Sequence, residues 1–252
     1  MKEVLVVRGE DEFSRTLMAS GFLVINCPVI RTEPLEDLSD LENAVSRLDA
    51  IDGVFITSAA AAEIFARYAN ERLTEYHGRV FVLGQRSFDI LKNTAADIVF
   101  VETANTAGDM LDAIAADNNL GGKRFLFVRG ERSMLTIPEQ LNGLADLEEA
   151  VVYRTVEIAI SDEQKKDVRK KAERGEIAMA CFFSPSGVES FVEQFGVDTL
   201  RLTRLAAIGE TTADMLRGLV LNVDVVAKRA KSEHFAVDVL GHLNAAAQRS
   251  LV

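Results

Sequence analysis

The feature that most constrains the fold of this chain is an internal duplication. Five short segments of the first half return in the second half, in the same order, at offsets that drift from 121 to 129 residues. One match could arise by chance, whereas five in order indicate two copies of a unit of about 120 residues. The matched segments are Val4–Gly9 with Phe125–Gly130, Val29–Thr32 with Val152–Thr155, Gly53–Ser58 with Met179–Ser184, Val82–Gly84 with Ala207–Gly209, and Ala107–Leu111 with Ala236–Leu240.

Each copy alternates short apolar runs, typical of strands, with longer amphipathic patterns, typical of helices. Strands that are apolar on both faces and separated by helices predict a parallel sheet covered on both sides. The sequence therefore predicts an α/β fold made of two doubly wound parallel-sheet lobes. The predicted strands are Val4–Val7, Gly21–Cys27, Gly53–Thr57, Arg79–Leu83, Asp97–Val101, Arg124–Val128, Asp146–Val152, Ile177–Phe183, Leu205–Ile208 and Asn222–Val226.

The composition limits the classes of function open to such a fold. The chain has 252 residues, of which 28 are Lys or Arg and 39 are Asp or Glu, so its formal charge is −11. Hydrophobic residues make up 48%, which is typical of a compact globular protein and not of a disordered one. Recognition of nucleic acid normally needs a basic face, so no nucleic-acid partner is expected. A polyanionic ligand would need local basic groups.

Neither the N-terminal residues nor the cysteines indicate export, membrane insertion or a metal. The segment Met1–Phe13 carries acidic residues where a signal peptide needs a basic start and an apolar stretch. The longest uncharged run, Thr16–Ile30, is too short and too polar to span a bilayer. Cys27 and Cys181 have no metal-ligand spacing around them, which indicates two buried, reduced thiols. We expect a cytoplasmic protein without a membrane segment or a metal.

Polar turn residues follow the predicted strands in both copies. Parallel sheets of this kind bind ligands at the carboxyl ends of their strands, where helices begin. Ser and Gly at these positions suit helix capping and close backbone approach, and they leave amide groups pointing outward. Any single position could be an ordinary cap, but the set lies on the same edge in both copies. The positions are Arg8-Gly9, Thr57-Ser58, Leu83-Gly84, Arg129-Gly130, Phe183-Ser184 and Ile208-Gly209.

Two stretches of the second copy resemble the C-terminal signature of the uroporphyrinogen-III synthase family. They are Phe182–Phe191, which reads FFSPSGVESF, and Ala206–Leu216, which reads AAIGETTADML. Val128–Ser133 and Val152–Thr155 are similar to the same family at the expected places. The resemblance covers essentially the whole chain. Its specific part is the ordered combination of motifs, because the Ser-Pro-Ser-Gly stretch alone is a weak signal.

The resemblance implies a lyase without a cofactor, acting on the linear tetrapyrrole hydroxymethylbilane in haem biosynthesis. The family removes the ring-A hydroxyl as water, forms an azafulvene cation, inverts ring D through a spiro intermediate and closes the macrocycle to uroporphyrinogen III. A monomer is expected. The residues fit this chemistry, since dehydration needs an acid and a preorganised field but no metal or nucleophile. The sequence has no Gly-x-Ser-x-Gly, P-loop or Cys-x-x-Cys motif.

The resemblance also implies that the two lobes differ from the two sequence copies. Residues 1–32 and 157–252 would form a discontinuous first lobe, and residues 37–151 the second. A two-stranded linker, residues 33–36 and 152–156, would join them, with the substrate in the cleft between the lobes. Pro34 suits an extended crossing.

Tyr153 is the candidate acid for the dehydration. It is one of three tyrosines, and its position in the first copy holds Ile30, so the hydroxyl is an asymmetric addition to a duplicated scaffold. By resemblance, it corresponds to the family's tyrosine near the leaving hydroxyl. The alternative is a linker aromatic with a purely structural role.

The eight carboxylates of the implied substrate require hydrogen-bond donors and cations. Arginines can bind carboxylates bidentately, and amides at helix N-termini attract anions. Thr211 and Thr212 match the family's Thr-Thr pair. The sequence departs from the family after Thr57-Ser58, where Ala59–Ala62 replaces the usual larger or basic residue. The candidate substrate-binding residues are Arg8, Ser58, Gly84, Arg129, Arg132, Ser184, Ser186, Gly209, Thr211 and Thr212.

A bilobal cytosolic small-molecule binding or sensor protein without catalysis is the alternative function. Duplicated α/β lobes joined by two strands also describe proteins that close around a ligand. The asymmetry at Tyr153 favours chemistry over binding alone.

Overall fold

The computed structural model of the chain describes residues 3–117 and 120–249. It divides into two compact units. The first unit contains the segment up to Arg31 and the segment from Val156 onward, and the second contains Thr32–Thr155. The first two and the last three residues of the predicted first lobe lie outside the described residues.

Strands occur at all ten predicted places, and one further strand, Ile30–Pro34, overlaps the predicted crossing segment 33–36. Their cores are runs of Val, Ile, Leu and Phe, which favour pleated, fully buried structure. The strands of the described residues are β1 Glu3–Val6, β2 Leu23–Asn26, β3 Ile30–Pro34, β4 Gly53–Ile56, β5 Arg79–Val82, β6 Asp97–Phe100, β7 Arg124–Gly130, β8 Asp146–Glu157, β9 Ile177–Phe182, β10 Leu205–Ala207 and β11 Val225–Val226.

The first unit is built on a five-stranded sheet with the order β11-β10-β9-β1-β2, in which every pairing is parallel. Alternate residues of β1, together with the residue that follows it, enter different cores: Val4 and Val6 face one apolar cluster, and Leu5 and Val7 face the other. Both faces of the sheet are therefore buried, as the unbroken apolar runs predict.

The second unit is built on a six-stranded sheet with the order β3-β8-β7-β4-β5-β6. The pairings among its last five strands are parallel. Val54 and Ile56 of β4 enter one core, and Phe55 enters the other, where its ring centroid lies 5.1 Å from those of Phe81 and Phe125. The predicted α/β class with parallel sheets is confirmed.

Helices cover both faces of each sheet. The helices of the described residues are α1 Glu12–Ala19, α2 Ser39–Ser46, α3 Ala59–Ala69, α4 Gln85–Leu91, α5 Ala107–Asp117, α6 Thr136–Leu141, α7 Asp162–Glu173, α8 Pro185–Phe195, α9 Val197–Arg201, α10 Glu210–Gly218 and α11 Ser232–Arg249. In the first unit, α1 and α11 pack on one face of the sheet, and α7 to α10 pack on the other. In the second unit, α2 to α4 pack on one face, and α5 and α6 pack on the other.

Strands β3 and β8 carry the chain between the two units. They are neighbours in the sheet order, and hydrogen bonds outside the sheet ladder extend their pairing at both ends. The amide of Ile158 donates to the carbonyl of Val29, and the amide of Leu35 donates to that of Val152. Residue numbers fall along one segment as they rise along the other, so the two segments run antiparallel.

Helix α8 fastens both crossing segments within the first unit. The buried Ser190 hydroxyl donates to the carbonyl of Val29 at 3.0 Å. The Gln194 amide nitrogen donates to the carbonyl of Ile158 at 3.0 Å, and its oxygen accepts from the amide of Ile160 at 2.9 Å. The Val29 carbonyl thus accepts a second bond beside that from Ile158, and the backbone groups of Ile158 and Ile160 are satisfied by the Gln194 side chain.

Both cysteines, Cys27 and Cys181, are buried, as predicted. Burial raises the pKa of the Cys27 thiol to about 11 and also raises that of Cys181, because desolvation disfavours the thiolate. Within residues 3–117 and 120–249, no helix has the length and apolar character needed to cross a membrane.

Val220 holds a strained backbone conformation directly after α10. Its φ is 59°, in the left-handed region that β-branched residues disfavour. Its amide donates to the carbonyl of Arg217, and the amide of Leu221 donates to that of Leu216, which is the Schellman ending that normally places glycine at this position. The side chain is 87% exposed, so no packing compensates for the strain.

Replacing Val220 by glycine is expected to raise the free energy of unfolding by about 1 kcal/mol, because glycine adopts this φ without a steric penalty. Urea denaturation followed by far-UV circular dichroism measures the change. Val237→Gly is the matched control, since this exposed valine lies inside α11 and its replacement should lower the stability by about 0.4 kcal/mol. A lower unfolding midpoint for Val220→Gly would contradict the interpretation.

Candidate functional site

The predicted site residues of the first unit lie along one edge of its sheet. Gly209, Ser184, Arg8 and Asn26 lie at or just after the carboxyl ends of β10, β9, β1 and β2, which are neighbours in that order. The parallel arrangement thus brings residues that are about 200 positions apart in the chain to one edge, where helices α10, α8 and α1 begin. This is the edge at which doubly wound sheets bind ligands.

Ser184 and Ser186 begin helix α8. The Ser184 hydroxyl oxygen accepts from the amide of Gly187 at 3.1 Å, and it lies 3.3 Å from the hydroxyl of Ser186. Pro185 occupies the first turn, where its missing N–H costs no hydrogen bond. The cap uses one lone pair of Ser184, and both residues remain partly exposed.

Arg8 is held in place by three groups of the first unit. Its guanidinium forms an ion pair with Asp11 at 2.9 Å and lies 4.4 Å from the ring centroid of Phe183. A longer hydrogen bond of 3.5 Å joins it to the hydroxyl of Ser232, the first residue of α11. The Asp11 carboxylate offsets the charge of Arg8, so this edge is less basic than the arginine alone suggests.

In the described part of the chain, no side chain caps the N-terminus of α10. Gly209 occupies the cap position in an extended conformation, and a Cβ there would meet only the Cβ of Ala230, at 3.7 Å. The first amides of this nine-residue helix therefore face outward with the positive end of the helix dipole. Thr211 is exposed beside them, whereas Thr212 is 3% exposed and belongs to the core. Of the predicted pair, only Thr211 presents its hydroxyl at the surface.

The predicted site residues of the second unit lie along the corresponding edge of its own sheet. Arg129, Ser58 and Gly84 lie at or near the carboxyl ends of β7, β4 and β5, and Tyr153 of the neighbouring strand β8 lies opposite Gly130, the last residue of β7. The duplication in the sequence thus places equivalent turns at equivalent edges.

Ser58 and Gly84 begin α3 and α4 of the second unit. The Ser58 hydroxyl caps α3 by accepting from the amide of Ala61 at 3.2 Å. Gly84 has a φ of 85°, and a Cβ at this residue would point into open space, so backbone conformation and not crowding requires glycine here. Ser87 of α4 is buried like Thr212, its counterpart in the second copy.

Arg129 is engaged within the second unit. Its Nε donates to Glu149 at 2.6 Å, and its Nη1 donates to the carbonyls of Gly130 at 3.0 Å and Glu131 at 3.3 Å. Its side chain is 16% exposed. The guanidinium face of Arg129 that was predicted to bind a substrate carboxylate is therefore largely occupied by protein groups. Arg132, on the same turn, is exposed.

The ring of Tyr153, a residue of β8, packs against the end of β7 and the turn that follows it. Gly130 is its partner in the strand pairing, and a Cβ at Gly130 would come within 2.4 Å of the Tyr153 ring carbon Cζ. The amide of Glu131 donates to the carbonyl of Tyr153 at 2.9 Å. The ring is half-buried, and within the described part of the chain the hydroxyl forms no hydrogen bond to protein. Within that part of the chain, the hydrogen-bonding capacity of the hydroxyl is therefore unused.

Two polar residues at the first-unit edge were missed by the sequence reasoning. Asn26 is the last residue of β2, and its Oδ1 accepts from the buried hydroxyl of Ser14 at 2.7 Å. Ser232 reaches Arg8 from the start of α11. The sequence does indicate Asn26, since it is a polar residue at the end of an otherwise apolar strand. The contact between Ser232 and Arg8 could not be predicted, because only the fold brings these two distant residues together. Among residues 3–117 and 120–249, no three His, Cys, Asp or Glu side chains are grouped to hold a metal ion.

Known proteins of one family are similar to this chain. The family model for uroporphyrinogen-III synthase HemD matches residues 11–236. A curated uroporphyrinogen-III synthase of Chlorobaculum parvum is 28% identical over 247 residues, which is 94% of this chain and 97% of that protein.

Two solved structures share the fold. A mutant uroporphyrinogen III synthase of Thermus thermophilus has a TM-score of 0.65 at 15% identity, over 98% of this chain and 100% of that one. The uroporphyrinogen-III synthetase of Helicobacter pylori has a TM-score of 0.63 at 17% identity, over 96% and 99%. At these identities the structures support the fold alone, whereas the family model covers most of the sequence. The chain belongs to the uroporphyrinogen-III synthase family.

Proposed function

We propose that this chain converts hydroxymethylbilane to uroporphyrinogen III with inversion of ring D, as a cyclising dehydratase of haem biosynthesis. The observation that carries the proposal is the family match over residues 11–236. Tyr153 supports it, because it lies at a carboxyl edge and its hydroxyl forms no hydrogen bond to protein in the described structure. The same proposal includes a cytoplasmic, monomeric protein that uses no cofactor and binds no nucleic acid.

The reaction loses one water from the linear substrate. The ring-A hydroxyl takes up a proton and leaves as water, and the electron pair of the pyrrole nitrogen forms the azafulvene cation. The substituted α-carbon of ring D then attacks this cation and forms the spiro intermediate. The bond from that carbon to the bridge toward ring C breaks, which forms a second azafulvene cation, and the bridge re-forms at the other α-carbon of ring D, from which a proton is lost. The protein has two tasks: to assist departure of the hydroxyl and to hold the chain so that ring D closes inverted.

Tyr153 is proposed to assist the leaving hydroxyl. A phenol can donate a hydrogen bond to the ring-A hydroxyl in the ground state and strengthen it as charge develops. The support comes from its available hydroxyl and from the turn beneath its ring, which limits where that hydroxyl can lie.

The substrate carboxylates are proposed to bind the two carboxyl edges. In the first unit the donors are Arg8, the hydroxyl pair Ser184 and Ser186, and the first turn of α10, where Gly209 leaves the amides uncapped and Thr211 adds a hydroxyl. In the second unit they are Arg132, Ser58 and Gly84. These are local donors, so a net charge of −11 does not prevent an anionic ligand from binding.

The proposal is tested by supplying hydroxymethylbilane, generated in situ, to the purified protein and separating the product isomers by chromatography. The expected result is type III isomer formed faster than spontaneous closure yields type I. Only type I product, at the spontaneous rate, would reject the enzyme. Protection of the substrate from closure, without type III product, would favour the binding or sensor alternative.

A further inference from the structure

We propose that Arg129 and Gly130 are positioning residues that fix the hydroxyl of Tyr153. The inference deepens the proposed function, because it concerns how the candidate acid is held. It also changes the role of Arg129, for which the sequence predicts a direct contact with a substrate carboxylate. Three contacts of the turn Arg129–Ser133, here named the Tyr153 turn, support this role.

The first contact is the ring of Tyr153 against the backbone of Gly130. A Cβ at residue 130 would lie 2.4 Å from Cζ, 2.6 Å from Cε2 and 2.8 Å from the hydroxyl oxygen of Tyr153. All three distances are far shorter than a van der Waals contact, and they involve the end of the ring that carries the hydroxyl. Any larger residue at position 130 therefore has to displace that end of the ring.

The second contact is the clamp formed by Arg129. The guanidinium joins three points: Glu149 on β8, four residues before Tyr153, and the carbonyls of Gly130 and Glu131 in the turn. The bond to Glu149 is charge-assisted and short, at 2.6 Å. One side chain thus ties the Tyr153 turn to the strand that carries Tyr153.

The third contact is the irregular register between β7 and β8. Arg129 pairs with Val151, but the next residue, Gly130, pairs with Tyr153, so Val152 is an extra residue in β8. Such irregularities redirect the side chains that follow them. Here the shift brings Tyr153 opposite Gly130, where the amide of Glu131 also donates to the Tyr153 carbonyl. Two further bonds close the turn: the Gly130 amide donates to the Ser133 hydroxyl, and the Ser133 amide donates to the Gly130 carbonyl.

A positioning role makes a different kinetic prediction from a binding role. A residue that binds a substrate carboxylate equally in the ground and transition states raises KM when removed, whereas one that aims the acid lowers kcat. Small displacements of a catalytic group have large effects on rate. Arg129→Met removes the clamp and keeps most of the side-chain volume, and Gly130→Ala moves the ring end directly.

The experiment combines kinetics with a tyrosine signal that does not depend on activity. The chain has no tryptophan and three tyrosines, so near-UV circular dichroism reports tyrosine environments, and the difference between wild type and Tyr153→Phe isolates the band of Tyr153. We expect Gly130→Ala and Arg129→Met to alter that band and to lower kcat about tenfold with KM nearly unchanged. In a Tyr153→Phe background, neither should lower kcat further, since coupled residues are not additive. Gly241→Ala, in open space on α11, is the control and should change neither readout.

Each outcome decides the proposal. A raised KM with unchanged kcat and an unchanged tyrosine band for Arg129→Met would assign Arg129 to substrate binding and overturn the inference. Full additivity with Tyr153→Phe would also overturn it, because the effect would then not act through the hydroxyl. If the wild type forms no type III isomer, the proposed function fails, while the dichroism band still tests whether the turn fixes the ring of Tyr153.

Discussion

Tyr153→Phe is expected to lower kcat by about 10- to 100-fold, at or below the low end of the range for general acid catalysis, with little change in KM. The substitution removes only the hydroxyl, and in the described structure that hydroxyl forms no hydrogen bond to protein, so the fold loses no hydrogen bond. The phenyl ring still covers Gly130. Initial rates of type III formation at several substrate concentrations separate kcat from KM.

Tyr68→Phe is the matched control for this prediction. Tyr68 lies on α3 of the same unit and is 39% exposed, so its hydroxyl is accessible but remote in sequence from the Tyr153 turn. We expect wild-type kinetics for Tyr68→Phe. An unchanged kcat in folded Tyr153→Phe would remove Tyr153 from the mechanism and leave it the structural role that the sequence also allowed.

Thr211→Asp is expected to raise KM by about tenfold, equivalent to roughly 1.4 kcal/mol, with kcat little changed. A carboxylate in the first turn of α10 would occupy the uncapped amides and repel the carboxylates of the substrate. The same carboxylate should stabilise the helix by about 0.3–1 kcal/mol through its dipole. Activity and stability should therefore change in opposite directions, which a loss of folding cannot imitate.

Acidic residues already present on α10 are paired with an arginine. Glu210, the first residue of α10, forms an ion pair with Arg217 at 2.8 Å, and Arg217 also pairs with Asp214 at 2.7 Å. Thr211→Asn is the control of similar size without charge and should keep KM within about twofold. If Thr211→Asp leaves KM unchanged, the N-terminus of α10 does not bind the substrate.

The sequence predicted the sheets well because their information is local. Runs such as Val4–Val7 and Gly53–Thr57 are apolar on both faces, and this pattern is typical of strands buried on both faces. The duplication then placed equivalent turns at equivalent strand ends, and Ser58 and Ser184 do cap equivalent helices.

The site was less predictable because it depends on partners that are distant in sequence. Arg129 looked available for a ligand, but it pairs with Glu149, a residue of the neighbouring strand. Thr211 and Thr212 form a pair in the sequence, yet helical geometry turns the second into the core. The irregular register that brings Tyr153 over Gly130 has no signal in the residue types of β8.

A formal charge of −11 is unexpected for an enzyme whose substrate is itself anionic. The structure shows that individual acids neutralise individual arginines, as Asp11 does for Arg8. Binding would then depend more on hydroxyls and backbone amides than on cations. Such donors are weakly affected by surface charges that lie beyond about 8 Å, where salt screens them. We therefore expect only a modest dependence of KM on ionic strength.

The central claim is catalysis of ring closure with inversion, and multiple turnover tests it most directly. With hydroxymethylbilane supplied continuously in large molar excess over the protein, the amount of type III isomer per protein molecule is measured by chromatography over time. Many equivalents of type III isomer, formed at a rate proportional to protein concentration, are the predicted result. Type I isomer alone, or no more than one equivalent of type III isomer, would contradict the account.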